Sequence, residues 1–263
     1  MIEEMNQKII TNIEQKVGII TLNQGELNLF STELLFLFRD ALNEFKMNKK
    51  VNAIVIQSAS DRAFSTGFDI SFSSVDQEVF NIYLKDGFEI IELLHFMPKP
   101  IISLINGYAI GVGFLFTLAG DFRFCTKDTK VQLPEVNYGK FMFVTHGGCT
   151  TLPRIVNKLS NTHYITMTGE RVDAETAQKM GVIDKVFETK EEMLKQGFEL
   201  AKLIASKSPL VIGLIKATIR KSLNSNIADG FALEQEACKI IRYTKDPSRE
   251  EKKDKFIEKY IKG

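Results

Sequence analysis

Three cysteines, three histidines and a formal net charge of +1 over 263 residues leave little for several common kinds of protein to be built from. Cys125, Cys149 and Cys238 are odd in number and far apart. They make neither a disulfide framework nor a zinc ligand set, and read as buried thiols of a reducing compartment. The near-neutral balance, with a sequence pI of about 7.6, gives no electrostatic footprint for nucleic acid and no polybasic face for a membrane. No apolar run reaches the roughly 18 residues that span a bilayer. The longest, around Ile101–Ile105 and Phe114–Ala119, are broken by Asn and Gly. The opening MIEEMNQK is acidic and polar, unlike a signal or transit peptide. The expectation is a soluble cytoplasmic protein that holds no metal, binds no nucleic acid and spans no membrane.

What is present suits a folded domain. Hydrophobic residues make up 44% of the chain, enough for a sizeable core, and 25% are charged, an ordinary level that argues against disorder. Ile9–Ile13 and Gly18–Leu22 are short and β-branched, as in an opening hairpin. Ser31 or Thr32 caps a helix whose Leu34, Leu35, Phe38 and Leu42 share a face. Val51–Gln57 is nearly all apolar, as in a strand covered on both faces of an α/β sheet, and Ile101–Ile105 reads as the next buried strand. Pro98 and Pro100 stop the helix between them. Phe122–Cys125 and Lys130–Leu133 suggest two further short strands. After about Lys190 only helical patterns remain, over Glu191–Ser206, Leu210–Asn224, Ile227–Tyr243 and Arg249–Ile261. The order of elements predicts an α/β fold, with a β/α core over residues 1–195 and a helical region over 196–263.

Two loops put glycine where a buried strand runs towards a helix: Ala63-Phe-Ser-Thr-Gly-Phe-Asp-Ile70 and Asn106-Gly-Tyr-Ala-Ile-Gly-Val-Gly-Phe114. Glycine there lets backbone approach a ligand and turn its N–H groups inward, and the second loop opens a helix whose terminal amides favour an anionic oxygen. Either loop alone is more readily a structural turn than a site.

Together, these motifs resemble the crotonase superfamily, the enoyl-CoA hydratase/isomerase family of acyl-CoA enzymes. Leu133-Pro134-Glu135, His146-Gly147-Gly148, Leu152-Pro153-Arg154, Thr168-Gly169-Glu170 and Gly181–Val186 continue the pattern in order, so that it covers nearly the whole chain. The resemblance implies a crotonase-like spiral of ββα units with a helical C-terminal trimerisation region. It also implies a homotrimer or hexamer, and an acyl thioester substrate on coenzyme A or a carrier protein, with no separate cofactor. Its two oxyanion-hole amides carry over to Phe68 and Val112. The residues around the substrate carry over to Ala63, Ser65, Gly67, Asp69, Ile70, Gly111, Gly113 and Leu115. Asp69 itself reads better as a turn residue than as an acid.

Family hydratases hold a water between two glutamates. The position of the second is Glu135; the position of the first is Leu115, which neither binds nor deprotonates water. Hydration needs an oriented base and an acid for the α-carbon, whereas one carboxylate suffices to move a proton between carbons beside a stabilised enolate. The expectation is therefore double-bond isomerisation of an enoyl thioester with Glu135 as proton carrier. The alternatives are a decarboxylase or hydrolase of a CoA or carrier-protein thioester, and a non-catalytic acyl-CoA-binding member. His146 is a second candidate for contact with the acyl group, although a lone histidine is more often structural. Phe114, Phe116, Phe141 and Phe143 form either an acyl tunnel or ordinary core. In the C-terminal Arg249–Lys262 stretch acidic residues interrupt the lysines, as on a solvated face.

Overall fold

Strand β1 (Ile9–Glu14) pairs antiparallel with β2 (Val17–Leu22), and Gln15 and Lys16 take positive φ in the turn between them. Helix α1 (Thr32–Met47) starts where Ser31 accepts a hydrogen bond from the Leu34 amide, and buries Leu34, Leu35, Phe38, Leu42 and Phe45. The chain then repeats one pattern. β3 (Ala53–Ser58), β4 (Ala63–Ser65) and α2 (Gln77–Phe96) make the first turn. β5 (Ile101–Ile105), β6 (Tyr108–Ile110) and α3 (Val112–Ala119) make the second. β7 (Phe122–Thr126) and β8 (Lys130–Gln132) begin a third, followed by a 3-10 segment, Pro134–Phe141, and α4 (Leu159–Thr168). β9 (Val172–Asp173), α5 (Ala174–Lys179), β10 (Lys185–Phe187) and α6 (Lys190–Ala205) complete the β/α part. The computed structural model describes residues 7–71, 77–245, 253, 254, 256–258 and 261.

Each turn sends one strand to each of two sheets. The larger has the order β1-β2-β3-β5-β7-β10, parallel except for the opening hairpin; the smaller has the order β4-β6-β8-β9. β3 over Ala53–Ile56 and β5 but for Ser103 are apolar because both faces of the larger sheet are covered. Ile54, Ile56, Ile101 and Ile105 join the core with α1 and α2, while Ala53, Val55, Ile102 and Leu104 pack with Met193, Ala201 and Ala205 of α6. Gly197 lets α6 close on the sheet, since a Cβ there would stand 2.3 Å from Leu104.

The chain divides into two compact units, Met1–Ile212 and Gly213–Gly263. The division lies later than the boundary expected near residue 195, because α6 is part of the sheet's cover. Helix α7 (Pro209–Ser222) runs from the first unit into the second, which also holds α8 (Ile227–Tyr243), capped by Asn226. Most of the helix expected over Arg249–Ile261 lies outside the described residues. No described helix is long and apolar enough to cross a membrane. The thiols need one correction: only Cys125 is buried, while Cys149 and Cys238 are exposed.

Candidate active site

Both glycine loops turn out to contain a three-residue strand. β4 and β6 pair in parallel, Ala63 opposite Tyr108 and Ser65 opposite Ala109, and this lays the loop after one strand against the loop after the other. Both sides carry glycine, Gly67 for close contact and positive φ together and Gly111 for its positive φ. Gly67 has φ +94°, and a Cβ there would stand 3.0 Å from the Ile110 carbonyl oxygen and 3.6 Å from the Val112 nitrogen. Gly111 has φ +54°, and a Cβ on it would meet Glu135 Oε1 at 3.6 Å and Gly67 Cα at 4.0 Å.

The orientation of two amides follows from their neighbours' bonds. Phe30 donates to the Gly67 carbonyl at 2.8 Å and accepts from the Asp69 amide at 3.0 Å. In that parallel bridge the Phe68 N–H points away from Phe30. Val112 is the first residue of α3, so its amide is one of the N-terminal donors that have no acceptor within the helix. Both residues line one cavity of about 540 Å³.

Gly67, Phe68, Ile70, Gly111, Val112, Leu115, Glu135 and His146 all line that cavity, as the sequence suggests. Ala63, Ser65, Asp69 and Gly113 do not; they stand behind it and hold its shape. The Ala63 carbonyl accepts from Ser58 and Asn28. The Ser65 hydroxyl donates to the Asn28 carbonyl at 2.8 Å and accepts from the Gly67 amide at 3.2 Å. Gly113 gives Ser65 room, since a Cβ there would come within 2.6 Å of its hydroxyl. Asp69 accepts from the amide and the hydroxyl of Ser71, a turn residue's role. Phe114 and Phe116 are core, the latter edge-on to Phe30, whereas Phe143 lines the cavity. The Phe141 side chain lies outside what is described.

Glu135 enters from the 3-10 segment, where Pro134 fixes the first position. Its Oε2 is buried and has no hydrogen-bond partner among the described residues. Burial pushes its carboxyl up to about 7, only partly opposed by its own backbone amide. Leu115, one helical turn past Gly111 and 2% exposed, lines the same cavity and offers no polar atom.

His146 is the opposite case. It is 3% exposed, sits at φ +46° and lines the cavity. Its Nε2 is 3.3 Å from the Leu84 carbonyl, which can only accept, so Nε2 carries the hydrogen. Nδ1 then accepts from the Thr145 hydroxyl at 2.5 Å. Burial holds its pKa below the ordinary histidine value, against the pull of the Leu84 and Tyr83 backbone. Three further residues escape a reading of motifs. Asn28 ties β4 to Ser58. Tyr83 stacks on Phe68 and donates to the Asp69 carbonyl at 2.9 Å. Gly87 makes room in α2 for the His146 ring. Among the described residues no cluster of His, Cys, Asp and Glu could hold a metal ion.

Comparison with known proteins agrees with this architecture. The chain is 27% identical over 264 residues to a crotonyl-CoA hydratase of Syntrophomonas wolfei, covering 96% of this chain and 99% of that protein. It is 28% identical over 212 residues to a carnitinyl-CoA dehydratase of Salmonella arizonae, covering 81% of this chain and 80% of that one. The crystal structure of an enoyl-CoA hydratase from Bacillus anthracis superposes with a TM-score of 0.89 at 26% identity, over 96% of this chain and 97% of that one. The model of the enoyl-CoA hydratase/isomerase family matches residues 12–261. With all but the ends of the sequence inside that match, and crotonase-fold enzymes as its structural neighbours, the chain belongs to the enoyl-CoA hydratase/isomerase family.

Proposed function

We propose that the cavity takes an acyl thioester of coenzyme A, with the thioester oxygen between the Phe68 and Val112 amides. Removing a proton from C2 puts negative charge on that oxygen, and two preformed donors stabilise it without reorganising. One such donor is typically worth about 3–4 kcal/mol. Glu135 is the base. Its ionised form is disfavoured by burial, so it sits close to neutrality, where a proton is readily both taken and returned.

The observation that carries this reading is the pairing of Glu135, which lines the cavity and has a buried oxygen without a hydrogen-bond partner among the described residues, against an apolar Leu115. A water between these two residues has one carboxylate to hold it instead of two. A proton moved from C2 to C4 of a 3-enoyl thioester needs only one: Glu135 takes it, the C3–C4 double bond becomes C2–C3, and Glu135 delivers the proton to C4. Isomerisation is therefore favoured over hydration, although the relatives compared above are named hydratase and dehydratase. The test is turnover of 3-enoyl-CoA and of 2-enoyl-CoA with water by the wild type and by Glu135→Gln. Isomerised product that depends on Glu135 supports the reading. Faster formation of a 3-hydroxyacyl product, or an isomerase rate undiminished in the variant, overturns it.

The second unit supports a proposal about assembly. Ile215 and Ile219 of α7, Leu223 just after it, and Ile227 and Phe231 of α8 are all at least half exposed, more apolar surface than two helices leave in water without cause. A homotrimer, or a pair of trimers, would cover it. Light scattering after size exclusion reads the mass, and a monomer at micromolar concentration would refute the assignment.

A further inference from the structure

We propose that His146 and Gly87 together set the acyl specificity of the cavity, by wedging Phe68 into the position where it forms one wall. The inference rests on the thioester reading of the cavity.

Phe68 is fixed in two separable ways. Its backbone is held by Phe30 and by the Tyr83 hydroxyl on the next carbonyl. Those bonds orient the amide but leave the side chain free to turn. The ring is fixed by its neighbours: it stacks on Tyr83 with centroids 4.8 Å apart and planes 13° apart, and meets the His146 ring at 5.4 Å and 72°. His146 is in turn held by Leu84, by Thr145 and by Phe88, whose ring lies 4.6 Å away.

The notch that admits His146 is a missing side chain. Gly87 lies inside α2, where glycine costs about 1 kcal/mol of helix propensity relative to alanine. Its φ is not in the left-handed region, so space and not backbone conformation explains it. A Cβ at Gly87 would stand 2.5 Å from His146 Nε2 and 3.1 Å from Phe68 Cζ. One absent methyl thus accommodates both rings, and both rings line the cavity. With neither nitrogen of His146 turned to the cavity for proton transfer, its place in the wall is its contribution: it is a positioning residue.

Two substitutions then act in opposite directions. His146→Ala empties the space behind Phe68 and lets its ring fall back, widening the cavity. Gly87→Ala drives the imidazole out of the notch towards the cavity it lines, narrowing it. The measurements are dissociation constants for butyryl-, hexanoyl- and octanoyl-CoA, and C2 deuterium exchange on the same thioesters. The octanoyl-to-butyryl preference should rise about tenfold in His146→Ala and fall by a similar factor in Gly87→Ala, the scale on which pockets discriminate methylenes. His146→Gln, which keeps a donor for Leu84, should restore much of the wild-type preference.

Opposite shifts support the proposal. Equal preferences in all variants, or shifts of one sign, overturn it, because a merely structural histidine would lower stability without reordering acyl groups. If the wild type binds these thioesters and the preferences shift without any C2 exchange, specificity is established and the proton-transfer reading alone fails. If the wild type binds none of them, both fall.

Discussion

Glu135 and His146 face the same cavity and are both stripped of most of their water, yet their remaining atoms are used in opposite ways. The carboxyl keeps one buried oxygen without a partner among the described residues, whereas both ring nitrogens of the histidine are spent on Leu84 and Thr145. Burial favours the neutral form of each, raising the acid to about 7 and lowering the base. Perturbed pKa values therefore do not tell the two apart; hydrogen-bond occupancy does. A group can exchange protons with a substrate only if it has an atom free to meet it. On that criterion one wall of the cavity is reactive and the other is rigid.

The largest effect that could break this contrast is kinetic. Glu135→Gln should lower C2 deuterium exchange on butyryl-CoA by about 10²–10⁴-fold, the usual contribution of a positioned acid–base group. His146→Gln should lose far less, and its pH–rate profile should keep the wild-type limb, rising towards a plateau as Glu135 ionises near pH 7. A His146→Gln loss as deep as that of Glu135→Gln would show that the histidine transfers protons too, and the contrast would be gone.

Stability against pH gives a smaller effect of opposite sign at the two residues. The Glu135 carboxyl is raised from 4.5 to about 7, so the folded chain holds a proton that the unfolded chain releases. Its contribution is fully present below pH 4.5 and is lost as pH rises through 7, by roughly 3 kcal/mol at about 1.4 kcal/mol per unit. Burial lowers His146, so there the unfolded chain takes up the proton, and the contribution is present above 6.5 and lost as pH falls. Relative to wild type, the urea midpoint of Glu135→Gln should therefore gain between pH 5 and 7 and level off above that. That of His146→Phe should compare best with wild type at the acidic end. Parallel curves for both variants would mean that neither group is desolvated as described.

How much of this was legible in the sequence depended on the length of the signal. The mostly apolar runs of β3 and β5, the Ser31 cap and the prolines ending α2 each carry a local cause, and each appears where expected. Strands of three residues carry no periodicity, so Ala63–Ser65 and Tyr108–Ile110 read as parts of glycine loops, and the two-sheet spiral was available only through resemblance. Within the site, Glu135 and Leu115 could be placed by motif. The separation of lining residues from supporting ones could not: Ser65 and Gly113 look like ligand contacts in a motif, but they use each other. Tyr83 and Gly87 were missed because neither belongs to a motif. Their only signal, a glycine inside a helix facing a histidine 59 positions later, is a contact that no local pattern encodes.

The smallest effect bears on what makes the rigid wall rigid. Thr145→Val keeps the shape of the side chain and removes only the hydroxyl that donates to His146 Nδ1. A buried acceptor left without its donor costs about 1–3 kcal/mol, so the variant should unfold at lower urea while the ring stays bonded to Leu84 and lodged at Gly87. Since the notch and not the hydroxyl blocks movement of the ring, the acyl preference of Thr145→Val should match the wild type even though its stability does not. His146→Ala should change both. If Thr145→Val shifts the acyl preference as far as His146→Ala does, the wall is held by the Nδ1 hydrogen bond. The missing Cβ of Gly87 would then be a consequence of the histidine's position and not its cause.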